Sequence, residues 1–265
     1  MIEFIIICFI AGSIGGLLSG MLGVGTGIVT VPLLTLLLPH YGISQNNAIH
    51  IALATSMAAI AINSITAIIK HHQYGNIRWD CVNKSIVFSL AGAFLGALTA
   101  SYLSGYLLQI IFGIFLLLTA VYMLIKKTSV TNEETTNHLP LSTLASGGFG
   151  IGFIASIIGS GGGIFMVPFL CALKIKMRYA IGTSILISLP VAICGAFTYI
   201  VVGWSKIPLT VDTIGYLHWP ALLAISATAM LFTPIGVRFA TVLPTIILQR
   251  VFAVCIIIVS LKMLA

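Results

Sequence analysis

Charged residues are scarce in this sequence. Asp, Glu, Lys and Arg make up only 6% of the 265 residues, and only 5 residues are acidic. A soluble domain has about 25% charged residues, so a soluble protein is excluded. Hydrophobic residues make up 59% of the chain, the mean hydropathy is +1.17, and apolar runs of membrane-spanning length recur. The composition predicts an all-α polytopic membrane protein, because a β-barrel would need alternating strands instead of continuous apolar runs.

Residues that hold cofactors or relay protons are also scarce. The 5 cysteines are scattered without a CxxC pair, which favours buried apolar thiols over a metal site. Asp80 and Asp212 lie in or beside predicted loops, so no carboxylate is placed inside a span as a proton relay. We therefore expect no cofactor and no metal. The formal charge of +7 lies mostly in short loops, where it orients a membrane chain, and we expect no nucleic-acid partner.

One glycine-rich, proline-terminated apolar segment occurs twice. Residues 16–34 read GLLSGMLGVGTGIVTVPLL and residues 152–170 read GFIASIIGSGGGIFMVPFL, with eight identical positions at an offset of 136 residues. The similarity continues downstream with further matches, among them Thr55-Ser56 with Thr183-Ser184, Trp79 with Trp219, and Gly96 with Gly236. Such an ordered series of matches indicates an internal duplication.

A single strongly polar stretch, KKTSVTNEETTNH at 126–138, lies near the middle of the chain and has the composition of a solvated linker. It predicts three parts: a first transmembrane repeat at 1–125, a cytoplasmic linker at 126–141 and a second transmembrane repeat at 142–265. Each repeat is expected to contain a glycine-broken helical hairpin followed by three transmembrane helices.

The placement of basic residues predicts that the two repeats have inverted topology. If each broken segment crossed the membrane once, Lys174, Lys176 and Arg178 would lie outside, against the positive-inside rule. If each folds back as a hairpin, the main basic loops become cytoplasmic and each repeat crosses an odd number of times. We therefore expect a multi-pass protein of the cell (inner) membrane with both termini extracytoplasmic. Length alone leaves open whether the broken segments span fully or are re-entrant.

The two glycine breaks are the first candidate binding site. Glycine permits a sharp turn, and the helix that follows presents free N–H groups and the positive end of its dipole, which bind anions without a charged side chain. In two inverted halves the two helix N-termini would converge, and the Thr26 and Ser160 hydroxyls would add donors. The alternative is that the glycines only permit tight helix packing. The candidate substrate-binding residues of the breaks are Gly23, Gly25, Thr26, Gly27, Gly159, Ser160, Gly161, Gly162 and Gly163.

A pair of hydroxyl residues recurs at the same place in each half. We expect Thr55, Ser56, Thr183 and Ser184 to flank the substrate. Asn63 follows Ser56 on one helical face and is the best single candidate, because an amide facing lipid would be costly. Ser188 and Thr198 follow Ser184 at near-helical spacing. The alternative is that these hydroxyls bond to carbonyl groups within their own helices.

The glycine pattern that ends in Pro32 and in Pro168, together with the doubled Thr-Ser helix, resembles the TauE/SafE sulfite exporter family. The similarity covers essentially the whole chain, although Ser19-Gly20 stands where the second copy has Ala155-Ser156. The resemblance implies a transporter of sulfite, sulfoacetate, sulfolactate or another sulfur-containing organic anion.

These observations lead to one functional hypothesis and two alternatives. The hypothesis is a secondary transporter, not an enzyme, that moves a small anion, sulfite or a short organosulfonate, by alternating access within the lipid bilayer. The alternatives are an anion channel of the same fold and a rhomboid-like intramembrane hydrolase, although Ile158 stands where that serine motif needs glycine. The identity of the anion, the direction of transport, the coupling ion and a homodimeric assembly are left open.

Overall fold

The computed structural model describes residues 2–22, 25–125, 140–207 and 212–242, together with 257, 260, 261 and 263. The predicted site residue Gly23, most of the predicted linker and most of the last predicted helix lie outside the described residues. The helices are α1 (Ile2–Leu22), α2 (Gly27–Leu37), α3 (Gln45–Gln73), α4 (Trp79–Tyr102), α5 (Gly105–Ile125), α6 (Leu141–Ile158), α7 (Gly163–Ala172), α8 (Met177–Trp204) and α9 (Trp219–Val242). A 3-10 turn spans Leu38–Tyr41, and two short strands are β1 (Thr213–Ile214) and β2 (Leu217–His218).

The long helices confirm the all-α polytopic membrane fold. Six of the described helices, α1, α3, α4, α6, α8 and α9, are long and apolar enough to cross a bilayer. By contrast, α2 has 11 residues and α7 has 10. At 1.5 Å per residue these helices span only about 15 Å, roughly half of the ~30 Å hydrocarbon core. Each glycine-broken segment is therefore a long helix followed by a short helix that is not long enough to cross the hydrocarbon core by itself.

The most extensive helix contacts correspond when the two halves are exchanged. Helix α1 packs against α9, and its counterpart α6 packs against α4, the counterpart of α9. The closest approaches also correspond: a Cβ on Gly16 would overlap the backbone of Ala229, and one on Gly152 would overlap the carbonyl oxygen of Ser89. Such contacts need glycine, because any side chain would push the helices apart. This pattern is what an internal duplication predicts, while the orientation of the halves in a membrane stays a prediction.

Helices α3 and α8 pack against each other at the centre of the molecule and contact most of the others. They have 29 and 28 residues, and each buries a run of small residues that includes the Thr-Ser pair. Small side chains let α2 and α7 approach this central pair closely. The centre of the fold is therefore where the two broken segments meet.

Two short elements differ from the expected pattern of apolar helices. The strands β1 and β2 pair antiparallel through Thr213↔His218 and Ile214↔Leu217 between α8 and α9. Gly215 between them has a φ of 54°, in the left-handed region that a tight turn requires. Strands of two residues leave no alternating pattern in the sequence, so the hairpin was not predicted. The predicted match between Trp79 and Trp219 is visible as the first residues of α4 and α9.

Candidate functional site

The two glycine breaks touch each other about halfway along α3. A Cβ on Gly27 would lie 2.6 Å from the carbonyl oxygen of Gly159, and one on Gly25 would lie 3.3 Å from that of Ser160. The Ser56 hydroxyl donates a hydrogen bond of 2.8 Å to the Gly159 carbonyl and ties α3 to the second break. The structure therefore brings together residues that are about 130 positions apart in sequence.

The backbone of each break leads into a buried helix N-terminus. Gly25 has a φ of 80°, and its counterpart Gly161 has a φ of 67°, values that residues other than glycine rarely adopt. Helices α2 and α7 begin two residues later, and neither N-cap, Thr26 or Gly162, makes a side-chain capping bond. The N–H groups of a first helical turn have no partner within the helix. Two positive helix ends thus lie inside the protein without side-chain caps.

Several buried polar side chains around the breaks have no hydrogen-bond partner. Thr26, Ser160 and Asn63, all predicted from sequence, are only 1%, 2% and 3% exposed. The hydroxyl groups of Thr26 and Ser160 and both side-chain amide atoms of Asn63 have no hydrogen-bond partner among the described residues. A buried polar group without a partner costs about 1–3 kcal/mol. The arrangement is therefore suited to a polar ligand that would accept or donate these bonds.

Two unpartnered serines near the second break were missed by the sequence reasoning. The hydroxyl groups of Ser89 in α4 and Ser156 in α6 are fully buried and have no partner among the described residues. Ser156 lies beside Gly195, whose Cβ would be 3.4 Å from the Ser156 oxygen. The signal available in the sequence was a lone serine within an Ala/Gly-rich helix, which is equally typical of close packing.

The recurring Thr-Ser pairs divide into two roles. The Thr55 hydroxyl accepts a bond of 3.1 Å from the His218 N–H, and the Thr183 hydroxyl accepts one of 2.9 Å from the Arg78 N–H. Each threonine thus holds the start of a helix in the other half. Ser184 donates to the carbonyl of Ile181 in its own helix. Of the four residues, Ser56 is the one with a described hydrogen bond to a break, and binding by the others stays a prediction.

An apolar side chain lies between the breaks. Ile60 in α3 would contact a Cβ on Gly25 at 3.5 Å and one on Gly161 at 2.7 Å. It follows Ser56 by one helical turn on the same face of α3. The junction is therefore lined by backbone groups together with one polar and one apolar side chain from the same face of α3.

A small cavity opens beside the second break only a few residues from this junction. It has a volume of about 10 Å³ and is lined by Ser89, Gly152, Gly161, Gly162 and Ser188, with aliphatic side chains and Met166 completing the wall. Each of its lining residues is uncharged. In this conformation the space is narrow, with room for about one water molecule.

The comparisons with known proteins agree with this architecture. Residues 8–263 match the family described as sulfite exporter TauE/SafE. The chain is 35% identical over 265 residues to a probable membrane transporter protein of Haemophilus influenzae, and the alignment covers 99% of both chains. It is 28% identical to a probable membrane transporter protein of Methanocaldococcus jannaschii, over 88% of this chain and 84% of the relative. No solved structure shows a significant match. The fold, the extent of the family match and the identity over the full length together place this chain in the TauE/SafE sulfite exporter family of membrane transporters.

Proposed function

We propose that the protein is a secondary transporter that moves a small anion, sulfite or a short organosulfonate, across the cell (inner) membrane by alternating access. Membership of a sulfite exporter family supports an anionic sulfur compound as the cargo. The inverted arrangement of the halves, with both termini extracytoplasmic, belongs to the same proposal, since transporters of this type commonly consist of inverted repeats.

The observation that carries the proposal is that two helix N-termini without side-chain caps are buried at the two breaks, which contact each other. The first residues of α2 and α7 and the unpartnered hydroxyls of Thr26 and Ser160 are all buried at these breaks. Such donors stabilise an anion without a buried lysine or arginine, and the anion supplies the partners that these groups lack. Helix packing alone would explain the glycines but would leave the unpartnered hydroxyls unexplained.

Alternating access requires that the two broken segments separate and rejoin. The contacts of α1 with α9 and of α6 with α4 are close glycine contacts, which favour movement of these pairs as rigid units. The junction of Gly27 with Gly159 is held by the Ser56 hydrogen bond and a few van der Waals contacts. The moving boundary in this proposal is therefore the junction, with one broken segment on each side.

Transport of labelled sulfite, sulfoacetate and chloride into proteoliposomes tests the proposal. We expect uptake of sulfite or sulfoacetate that saturates and is accelerated by the same anion inside the vesicles, because a carrier exchanges its cargo faster than it returns empty. A channel would give flux without this acceleration. Absence of uptake of all three anions would contradict the proposed function.

The variant Gly161→Val tests the site itself. Its side chain would press on Ile60 and strain a backbone with positive φ, so we expect uptake to fall at least tenfold, which corresponds to about 1.4 kcal/mol. The matched control is Gly150→Val, since a Cβ on Gly150 meets no atom within 4 Å. Elution of both variants as monodisperse protein in detergent separates loss of transport from loss of folding. Full uptake by Gly161→Val would contradict the site.

A further inference from the structure

The second broken segment, which consists of α6, the second glycine break and α7, is tied to both central helices. Ser56 of α3 donates a hydrogen bond of 2.8 Å to the carbonyl of Gly159, and Tyr199 of α8 donates one of 2.9 Å to the carbonyl of Ser156. Both donors are fully buried. The two carbonyl groups lie at the C-terminal end of α6, where a helix offers them no partner of its own. Each central helix therefore supplies one bond that fixes this end of α6.

The first broken segment, which consists of α1, the first break and α2, is not held in this way within the described part of the chain. The two Thr-Ser pairs are offset by 128 residues (183 − 55 = 128), which makes Ser184 the counterpart of Ser56. The same offset makes His71 of α3 the counterpart of Tyr199. Ser184 donates at 2.8 Å to the carbonyl of Ile181 in its own helix. His71 is buried, and neither of its ring nitrogens has a hydrogen-bond partner among the described residues.

The two short helices also differ in how deeply they are packed. Seven of the 11 residues of α2 are buried, compared with four of the 10 residues of α7. Thr35 of α2 is buried, whereas its counterpart Cys171 of α7 is half-buried. Two halves of related sequence therefore have different arrangements within one conformation. In a transporter made of two related halves, exchange of these arrangements gives a second conformation that opens to the other side of the membrane.

We propose that Ser56 and Tyr199 are positioning residues that hold the transporter in this conformation, and that their counterparts hold it in the opposite one. This inference rests on the proposed alternating access. In the opposite conformation Ser184 turns from its own helix to the first break, and a ring N–H of His71 donates to the C-terminal end of α1. Ser56 then bonds to a carbonyl of its own helix, as Ser184 does here. Each conformation thus has three of these hydrogen bonds, so a small free energy separates the two.

Amide hydrogen exchange of the full chain in detergent tests the proposal without any anion. The variant Tyr199→Phe removes the hydroxyl and keeps the ring, so it shifts the population toward the opposite conformation, in which α2 is the less deeply packed helix. Exchange at residues 30–35 should become about fivefold faster, which corresponds to about 1 kcal/mol, while exchange at residues 166–171 should not become faster. The control Tyr179→Phe, which removes another hydroxyl of α8, should leave both rates unchanged. A residue that only stabilised the fold locally would instead speed exchange at residues 166–171 alone.

Variants of the counterpart residue provide a second readout. His71 has no hydrogen bond among the described residues in this conformation, so His71→Phe removes a bond of the opposite conformation and should slow exchange at residues 30–35 about fivefold. The double variant His71→Phe/Tyr199→Phe should exchange at the wild-type rate, because the two bonds stabilise opposite conformations.

Two results would overturn the proposal: unchanged exchange at residues 30–35 in Tyr199→Phe, or a double variant that exchanges as fast as Tyr199→Phe. If Tyr199→Phe does not fold, unchanged exchange at these residues in His71→Phe overturns the proposal by itself. Failure of the proposed function is seen separately, as absence of anion uptake by the wild type.

Discussion

The two glycine breaks have the same backbone plan but different surroundings. Both α2 and α7 begin at a glycine and carry a proline as their sixth residue. The neighbouring side chains differ: Ile60 of α3 contacts both breaks, whereas its counterpart Ser188 of α8 borders the second break. Likewise, Ser89 of α4 lines the cavity, and its counterpart in α9 is Ala229.

The difference shows that a duplicated scaffold does not require a duplicated site. The glycine contacts that fix the helix pairs are present in both halves, because both halves must bury the same kind of close helix interface. The cavity lies beside the second break, and its lining includes Ser89 and Ser188, whose counterparts in the other half are Ala229 and Ile60. The scaffold is therefore symmetric, whereas the pocket is placed on one side of the junction.

The largest effect is expected when Ser188 is replaced by isoleucine, the residue at its counterpart position 60 in the first half. In Ser188→Ile the larger side chain fills the cavity and removes one donor, so uptake should fall well beyond tenfold. Ser146→Ile is the control, because it adds the same side chain at an exposed position of α6. Transport of labelled sulfite is the measurement. Uptake equal to that of the control would mean that the two breaks are equivalent in function after all.

A second comparison concerns the helix interfaces, where the halves should behave alike. Gly152→Ala forces α6 away from Ser89, and Gly16→Ala places a Cβ 2.6 Å from the carbonyl oxygen of Ala229. We expect each to lower the free energy of unfolding by about 1–3 kcal/mol, the usual cost of overpacking. The unfolding temperature in detergent measures this, with Gly150→Ala as the unstrained control. Stability of both variants equal to the control would contradict the close contacts.

The paired threonines should also give equal effects in the two halves. Thr55→Val and Thr183→Val each remove one hydrogen bond to the start of a helix in the other half and keep the side-chain shape. The expected loss is about 1 kcal/mol for each variant, and serine at either position should restore most of it. Thermal unfolding and sulfite uptake are measured together. Lost uptake with unchanged stability would favour the direct substrate contact predicted from sequence.

Much of the fold was predictable because it depends on patterns that are local in sequence. Composition predicted the membrane-spanning helices, and repeated Gly and Pro residues located the breaks. The matched Trp79 and Trp219 are the first residues of α4 and α9 in the structure. The predicted Thr26, Ser160 and Asn63 are buried without partners among the described residues, and substrate binding by them stays a prediction.

The remaining features depend on how helices pack across the two halves. The bonds from Thr55 and Thr183 join residues more than 100 positions apart, so their role was not visible in sequence. Ser89 became a candidate only because Gly152 brings α6 against it and leaves a cavity beside it. A single serine in an Ala/Gly-rich helix carries no such information by itself.

The smallest expected effect is a difference in how stability depends on pH between the equivalent starts of α4 and α9. His218 precedes α9, and its ring Nδ1 accepts a hydrogen bond of 3.2 Å from the N–H of Ala221. Burial lowers the pKa of His218 below its usual value of 6.5, while nearby Asp212 acts in the opposite direction. Its counterpart before α4 is Arg78, which stays charged over this range. The pH dependence is therefore built into one helix start of the pair.

The sign of this effect follows from the lowered pKa. The folded protein prefers neutral His218, so its contribution to stability is complete above pH 6.5 and is lost as the pH falls below that value. The loss should stay below about 1 kcal/mol, the typical value of one helix cap. The variant His218→Asn keeps an acceptor at the cap but does not titrate, so its unfolding temperature should fall less on acidification than that of the wild type. Equal acid sensitivity of the two proteins would mean that the start of α9 is held by the Thr55 bond, as α4 is held by Thr183, without help from the imidazole.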